Sequence, residues 1–136
     1  MVYTKKPEKT TGELVQQVRD LDPKYRDPII KTIGEATYKM REALQRKDFE
    51  AMKKLINVAQ ENLARLGVSI PEIDELCKEV KTIGGAAKGC GALGGGVVLC
   101  YHENKEKLLK VIRSLGYEPW ETELAVEGVR VEEKED

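Results

Sequence analysis

Apolar residues recur at intervals of three and four along the first eighty positions, then give way to short continuous runs. Residues 1–4, Met-Val-Tyr-Thr, have strand character, and residues 5–9 form a polar connection. Thr10 and Glu13 stand at capping-box spacing. The helix they open buries Leu14, Val18 and Leu21, and Asp22-Pro23 ends it and opens a turn. A second helix is predicted from about 25 to 46, with Ile30, Ile33, Met40 and Leu44 on its inner side. Asp48 is placed to cap a third helix, whose apolar stripe is Phe49, Met52, Leu55, Ile56, Ala59, Leu63 and Leu66. Gly67 is placed to end it. Ser69 and Pro71 mark a fourth start, followed by Ile73, Leu76, Cys77 and Val80.

Beyond residue 83 the chain changes character. Glycines crowd residues 84–96, and Val97-Val98-Leu99-Cys100-Tyr101 reads as a strand. A helix over about 103–115 buries Leu108, Ile112 and Leu115 and stops at Gly116. Glu118 to Val126 alternates as a strand does, Gly128 turns it, and Val129-Arg130-Val131 is a short last strand. The order is one strand, four helices, a glycine-rich strand pair, a helix and two strands. It predicts an α+β fold: a ferredoxin-like sandwich with a largely antiparallel sheet and helices on one face. One domain over 1–136 is expected: strand and helical bundle over 1–83, glycine loop to final strands over 84–132, and a loose charged tail over 133–136. Strand character at the first residue predicts a longer chain entered in its middle.

Composition narrows the class. The chain has 136 residues, enough for a core without metals or bridges. Lysine and arginine number 23 against 24 acids, so nothing general draws the chain to nucleic acid or to an anionic membrane. Charged residues make up 35% of the chain, a density that suits a heat-adapted protein. Cys77, Cys90 and Cys100 are too few and too scattered for a disulfide framework. With His102 the only histidine, no zinc site is expected, and reduced thiols point to the cytoplasm. No apolar run reaches the ~18 residues a membrane span needs.

Candidate chemistry sits in Gly84-Gly85-Ala86-Ala87-Lys88-Gly89-Cys90-Gly91-Ala92-Leu93-Gly94-Gly95-Gly96. Such a loop can present successive N–H groups to phosphate oxygens. It lacks the Gly-Lys-Ser/Thr ending of a Walker loop, and a strand rather than a helix follows it. The same glycines equally suit a wide hairpin turn.

Ala87-Lys88 through Gly91-Ala92 to Gly94-Gly95-Gly96-Val97-Val98 resembles the third motif of the GHMP superfamily of galacto-, homoserine, mevalonate and phosphomevalonate kinases. The likeness extends along the chain, through Leu55-Ile56-Asn57-Val58-Ala59, Leu66-Gly67-Val68-Ser69-Ile70-Pro71 and Leu115-Gly116-Tyr117-Glu118, and within the superfamily points to archaeal mevalonate kinases. It implies the C-terminal domain of a cytoplasmic ATP- and magnesium-dependent kinase of isoprenoid-precursor synthesis. Cys90, Gly91, Ala92, Gly94, Gly95 and Gly96 would support the nucleotide phosphates, and Thr11, Asn57 and Lys88 would lie toward the substrate. Two positions depart from the motif. Leu93 stands where a glycine is usual, and leucine is expected to demand ordinary backbone angles and to add bulk beside the phosphate channel. Cys90 stands where Ser or Thr is common. The nucleotide loop, magnesium ligands and catalytic residue of such kinases match nothing here. The chain alone is therefore expected to be inactive, to bind no cofactor by itself, and to need a nucleotide-binding N-terminal domain or a subunit carrying it.

Other readings stay open. The acceptor could be phosphomevalonate or a heptose phosphate. The fold also suits a non-enzymatic ligand-binding or dimerisation module, and an exposed apolar patch would favour homo-oligomers. Lys88 could point to solvent, and Asn57 and Gln60 could be a solvated face. Cys77 is expected in the core, Cys90 as the reactive thiol, His102 in a surface or helix-capping role, and Trp120 packed on a strand.

Overall fold

A computed structural model describes residues 1–124 and 126–132. Its elements are β1 (Val2–Tyr3), α1 (Thr11–Arg19), α2 (Pro23–Arg46), α3 (Phe49–Arg65), α4 (Pro71–Thr82), β2 (Ala86–Gly89), β3 (Val97–Tyr101) and α5 (Lys105–Ser114). The sheet has the order β1-β3-β2 and is antiparallel throughout. Helices α4 and α5 pack against it and against each other, while α3 runs along β2 and carries α2 on its far side. No helix among the described residues is long and apolar enough to cross a membrane.

The α+β class and the antiparallel sheet agree with the sequence expectation. The core joins Val2, Ala87 and Val98 of the sheet to Ile73, Leu76 and Val80 of α4 and to Leu108 and Ile112 of α5. Helix ends form where their caps stand. Thr10 Oγ1 accepts from Glu13 N–H at 3.2 Å, and Thr10 N–H donates to the Glu13 carboxylate at 2.7 Å. Asp48 Oδ1 accepts from Ala51 N–H, and Gly67 and Gly116 take the positive φ that ends α3 and α5.

Four expectations need correction. Asp22-Pro23 starts α2 rather than forming a separate turn, because Asp22 caps the helix through Lys24 N–H and Pro23 needs no donor at the first position. Ser69 does not cap α4. Its hydroxyl donates to Asp74 Oδ1 at 2.6 Å and accepts from Gln60 Nε2 at 3.2 Å. The inner face of α2 centres on Ile29, Ala36 and Ala43, with Ile33 and Met40 half-buried, while Ile30 and Leu44 are exposed. The alanines let α2 approach α3 closely, and side-chain size had drawn the expected face toward the larger neighbours.

The fourth correction concerns the last two strands. No strand occurs over 117–124 or 126–132. The alternating segment makes a single strand-like pair: Met1 N–H donates to Trp120 C=O at 2.9 Å, and Trp120 N–H donates to Met1 C=O at 3.1 Å. Met1, just before β1, is the one such partner that segment has among the described residues. Trp120 itself is half exposed. Ala125 of the expected strand, and the expected loose tail over 133–136, lie outside the described residues.

Candidate functional site

The connection from β2 to β3 spans residues 90–96, and its backbone is unusual. Gly91, Leu93, Gly94, Gly95 and Gly96 all have positive φ, with Ala92 between the first two at an ordinary negative value. Alternation of this kind turns consecutive N–H groups toward one side.

Close approach, rather than flexibility, explains the central glycines. A Cβ on Gly95 would lie 2.6 Å from the Lys5 carbonyl oxygen, and one on Gly94 would lie 3.0 Å from Leu14 Cδ1. The loop thus rests on the segment entering α1 and on α1 itself. Gly94 N–H donates to Val68 C=O at 2.8 Å and Gly96 N–H to Lys5 C=O at 2.7 Å. Thr4 closes the base of the loop, its N–H and hydroxyl both donating to Gly96 C=O. Cys90 N–H donates to Val97 C=O, continuing the β2–β3 ladder. The N–H groups of Gly91, Ala92, Leu93 and Gly95 have no hydrogen-bond partner among the described residues. The loop therefore turns the chain and leaves these four backbone donors unpaired among the described residues.

Leu93 overturns its expectation. It adopts φ 65°, the left-handed region a glycine would use, at a strain of about 1–2 kcal/mol. Its side chain is 4% exposed and lies in the core. A Cβ on Gly89 would meet Leu93 Cδ2 at 2.8 Å, so this leucine covers the Gly89 backbone. Its bulk goes inward, away from the open side of the loop, and burial offsets the strain.

Substrate-side candidates are dispersed. Thr11 is exposed at the start of α1, three residues before Leu14. Lys88 is half-buried, and its ammonium donates to Gly89 C=O at 2.9 Å. Asn57 lies toward the far end of β2, where its amide donates to Gly85 C=O and accepts from Ala87 N–H, each at 3.3 Å. Asn57 and Gln60 together serve the free edge of β2 and do not reach toward the loop. His102 stands at the entry to α5. Its Nδ1 accepts from Asn104 N–H at 2.8 Å, which leaves Nε2–H to donate to Ile83 C=O at 2.8 Å. Burial of Cys77 and Cys100 pushes both thiols up to about 12, and Cys90 is the half-exposed thiol beside the loop.

A cleft of about 330 Å³ opens beside Gly94, between Lys5, Lys9, Gln17, Ser69 and Glu72. Sequence reasoning missed it, because residues more than sixty positions apart line it and no local pattern links them. Lys5 Nζ stands 3.2 Å from Glu72 Oε1. The Glu72 carboxyl is held below the usual carboxylate range by its own backbone N–H and by Lys5. Among the described residues, no three His, Cys, Asp or Glu side chains converge as metal ligands would.

Comparison with known proteins gives this geometry a family. Residues 40–121 match the family described as GHMP kinases C terminal. Mevalonate kinase of Thermococcus gammatolerans is 32% identical over 127 residues, covering 88% of this chain and 38% of the relative. Its counterpart in Methanocaldococcus jannaschii is 37% identical over 110 residues, covering 80% of this chain and 34% of the relative. The crystal structure of the Methanococcus jannaschii mevalonate kinase superposes with a TM-score of 0.70 at 34% identity, over 86% of this chain and 36% of that one. A Lin0012 protein from Listeria innocua superposes with a TM-score of 0.78 at 26% identity, with the same coverage. The chain spans little more than a third of the length of the curated relatives it matches. On the sheet, the loop and these matches, the chain belongs to the GHMP kinase family, as its C-terminal domain.

Proposed function

We propose that this chain is the C-terminal half of an ATP-dependent mevalonate kinase, and that its β2–β3 loop supports the nucleotide phosphates. One observation carries the assignment of the loop: among the described residues the Gly91, Ala92, Leu93 and Gly95 N–H groups have no partner, in a loop otherwise fixed by Val68, Lys5 and Thr4. Backbone donors held in place can stabilise phosphate charge without reorganising. Cys90 and Gly94–Gly96 hold the loop's shape beside them. Bound ATP supplies the transferable phosphoryl group. These residues suit its phosphate oxygens, whereas none of the described side chains forms a magnesium site, and the metal falls to the rest of the kinase.

Phosphoryl transfer needs nucleotide, metal and acceptor aligned together. In this reading the chain closes one side of the cleft, and a nucleotide-binding half supplies the rest. Thr11 and Lys88 stand toward the acceptor, and Asn57 acts by fixing β2. The mevalonate assignment rests on the family membership and on relatives that bear that name. The same membership supports a cytoplasmic enzyme of isoprenoid-precursor synthesis.

The test is ATP consumption by this chain reconstituted with a GHMP nucleotide-binding half, offered mevalonate, phosphomevalonate or a heptose phosphate. Turnover with mevalonate, and none from the isolated chain, is the expected result. Phosphorylation by the isolated chain overturns the assignment as a half. Preference for another acceptor overturns the substrate.

A further inference from the structure

The stretch of loop that carries the free donors is held at both ends by one set of side chains. Gly89 N–H, where the chain enters the loop, donates to Gln60 Oε1 at 2.8 Å. Gly94 N–H, farther along, donates to Val68 C=O at 2.8 Å. Gln60 Nε2 donates in turn to the Oγ of Ser69, the residue after Val68, at 3.2 Å. Together these three bonds close a ring across the loop. The Gly91, Ala92 and Leu93 N–H groups, unpaired among the described residues, all fall between its two anchors.

Donors and acceptors run through the ring in one direction. Gly89 presents an N–H, so Gln60 turns its carbonyl oxygen toward it and its amide nitrogen toward Ser69. Ser69 accepts from Gln60 and passes its own proton on to Asp74 Oδ1 at 2.6 Å. A hydrogen-bonded chain polarises its members, and this one ends on a carboxylate. Gln60 is buried, and Gln17 Nε2 steadies the same turn from the α1 side by donating to Gly67 C=O at 2.9 Å. Covering the edge of β2 would need Gln60 Oε1 alone. The Gln60–Ser69 bond adds nothing to that edge, but it ties the anchor at Gly89 to the anchor at Val68 and so fixes the span of the loop.

We propose that Gln60 and Ser69 are positioning residues for phosphate recognition: they set the spacing of the Gly91, Ala92 and Leu93 donors, and through it the affinity for ATP, without touching the nucleotide. The inference rests on the reading of this loop as support for nucleotide phosphates. Donors kept at a fixed spacing meet phosphate oxygens without reorganising, and a loop free to widen does not. Asp74 belongs to the same device, because its carboxylate holds the Ser69 hydroxyl, and with it the Gln60 amide, in this orientation.

Two measurements test this. The first is kinetic, on the enzyme reconstituted from this chain and a GHMP nucleotide-binding half. Ser69→Ala deletes the hydroxyl and should raise KM for ATP about tenfold, with KM for the phosphate acceptor unchanged within about twofold. Ser69→Thr keeps a hydroxyl and should restore the parent value. Gln60→Leu combined with Ser69→Ala should be no worse than Gln60→Leu alone, because each breaks the same ring. Lys53→Met loosens the opposite end of β2, where Lys53 holds the Gly84 carbonyl, and serves as the stability control with both constants unchanged. The second measurement is amide exchange in this chain without nucleotide. Ser69→Ala should speed exchange of the Gly94 amide proton about tenfold, and Ser69→Thr and Lys53→Met should not. Unchanged Gly94 exchange in Ser69→Ala removes the ring. Parent turnover with an ATP KM unmoved by Ser69→Ala, or moved equally by Lys53→Met, overturns the proposal while leaving the kinase reading in place. Faster Gly94 exchange in Ser69→Ala together with a parent enzyme that turns over no ATP overturns the kinase reading, and the role toward ATP falls with it.

Discussion

Gln60 Oε1 accepts a hydrogen bond from Gly89 N–H at 2.8 Å, so a helix side chain does for β2 what a neighbouring strand would do. Gln60 is buried, and Asn57, one turn earlier on α3, does the same for Ala87. Ala87 and Gly89 carry the outward-facing donors of β2, since Ala86, Lys88 and Cys90 bond to β3. The two amides cover an exposed sheet edge and hold the strand that leads into the glycine loop.

Gln60→Leu should therefore cost about 1–3 kcal/mol, the range for leaving a buried donor unsatisfied. Asn57→Leu should cost less, because its bonds are 3.3 Å long. Thr11→Ala, at an exposed position, should change stability by less than about 0.5 kcal/mol. Urea unfolding of the three variants checks the order. Equal stability of Gln60→Leu and the parent would show that the amide ladder contributes nothing.

At Leu93 two effects oppose each other. Truncating a buried leucine costs about 2–5 kcal/mol, while releasing its left-handed backbone returns about 1–2 kcal/mol. Leu93→Gly should lose about 2 kcal/mol net, and Leu93→Ala should lose about 1 kcal/mol more, the reverse of their usual order. Denaturant midpoints decide this, and a more stable alanine variant would contradict the left-handed assignment. Gly95→Ala should disrupt the loop outright, because its Cβ would press on the Lys5 carbonyl.

Alkaline pH should unfold the chain through two thiols. Burial raises the folded Cys77 and Cys100 from an ordinary value of 9.0 to about 12. The unfolded chain loses these protons first, so stability is complete below pH 9 and falls as pH rises toward 12. The slope is at most about 1.4 kcal/mol per pH unit for each thiol. Chemical denaturation from pH 8 to 11 measures it, and Cys77→Ala with Cys100→Ala should flatten it. In the folded chain at pH 8, Ellman's reagent should label Cys90 first; rapid labelling of all three thiols would contradict the packing.

Lys53 joins three elements. Its ammonium reaches Glu50 at 2.7 Å, Glu103 at 2.9 Å and the Gly84 carbonyl at 3.0 Å. The hydrogen bond from Lys53 is the main reason the Glu103 carboxyl titrates below its usual range. A lowered folded value means that this contribution is present above about pH 4.5 and is lost as pH falls below it. Lys53→Met should destabilise the chain at pH 7, and the gap between variant and parent should narrow at pH 3. Urea midpoints at the two pH values test this, and a gap independent of pH would remove Glu103 from the account.

The sequence by itself determined the helices, most of their ends, the strand pair around the glycines and the family. Those features are local: a capping box, a three-four stripe or a glycine run acts within a few residues. What the loop's glycines are for was decided by the tertiary structure, because Gly94 and Gly95 answer to Leu14, Lys5 and Pro7, some eighty or ninety positions away. Leu93 could not be read locally either. Its backbone strain is visible only beside the core pocket that its side chain fills. Asn57 and Gln60 looked like substrate ligands or solvated amides until β2 was placed against them. The alternation after Gly116 predicted strands, but a strand exists only where another strand pairs with it, and among the described residues that segment pairs only at Trp120, with Met1. Local sequence sets what each segment can become, and the partners that folding brings to it decide what it is.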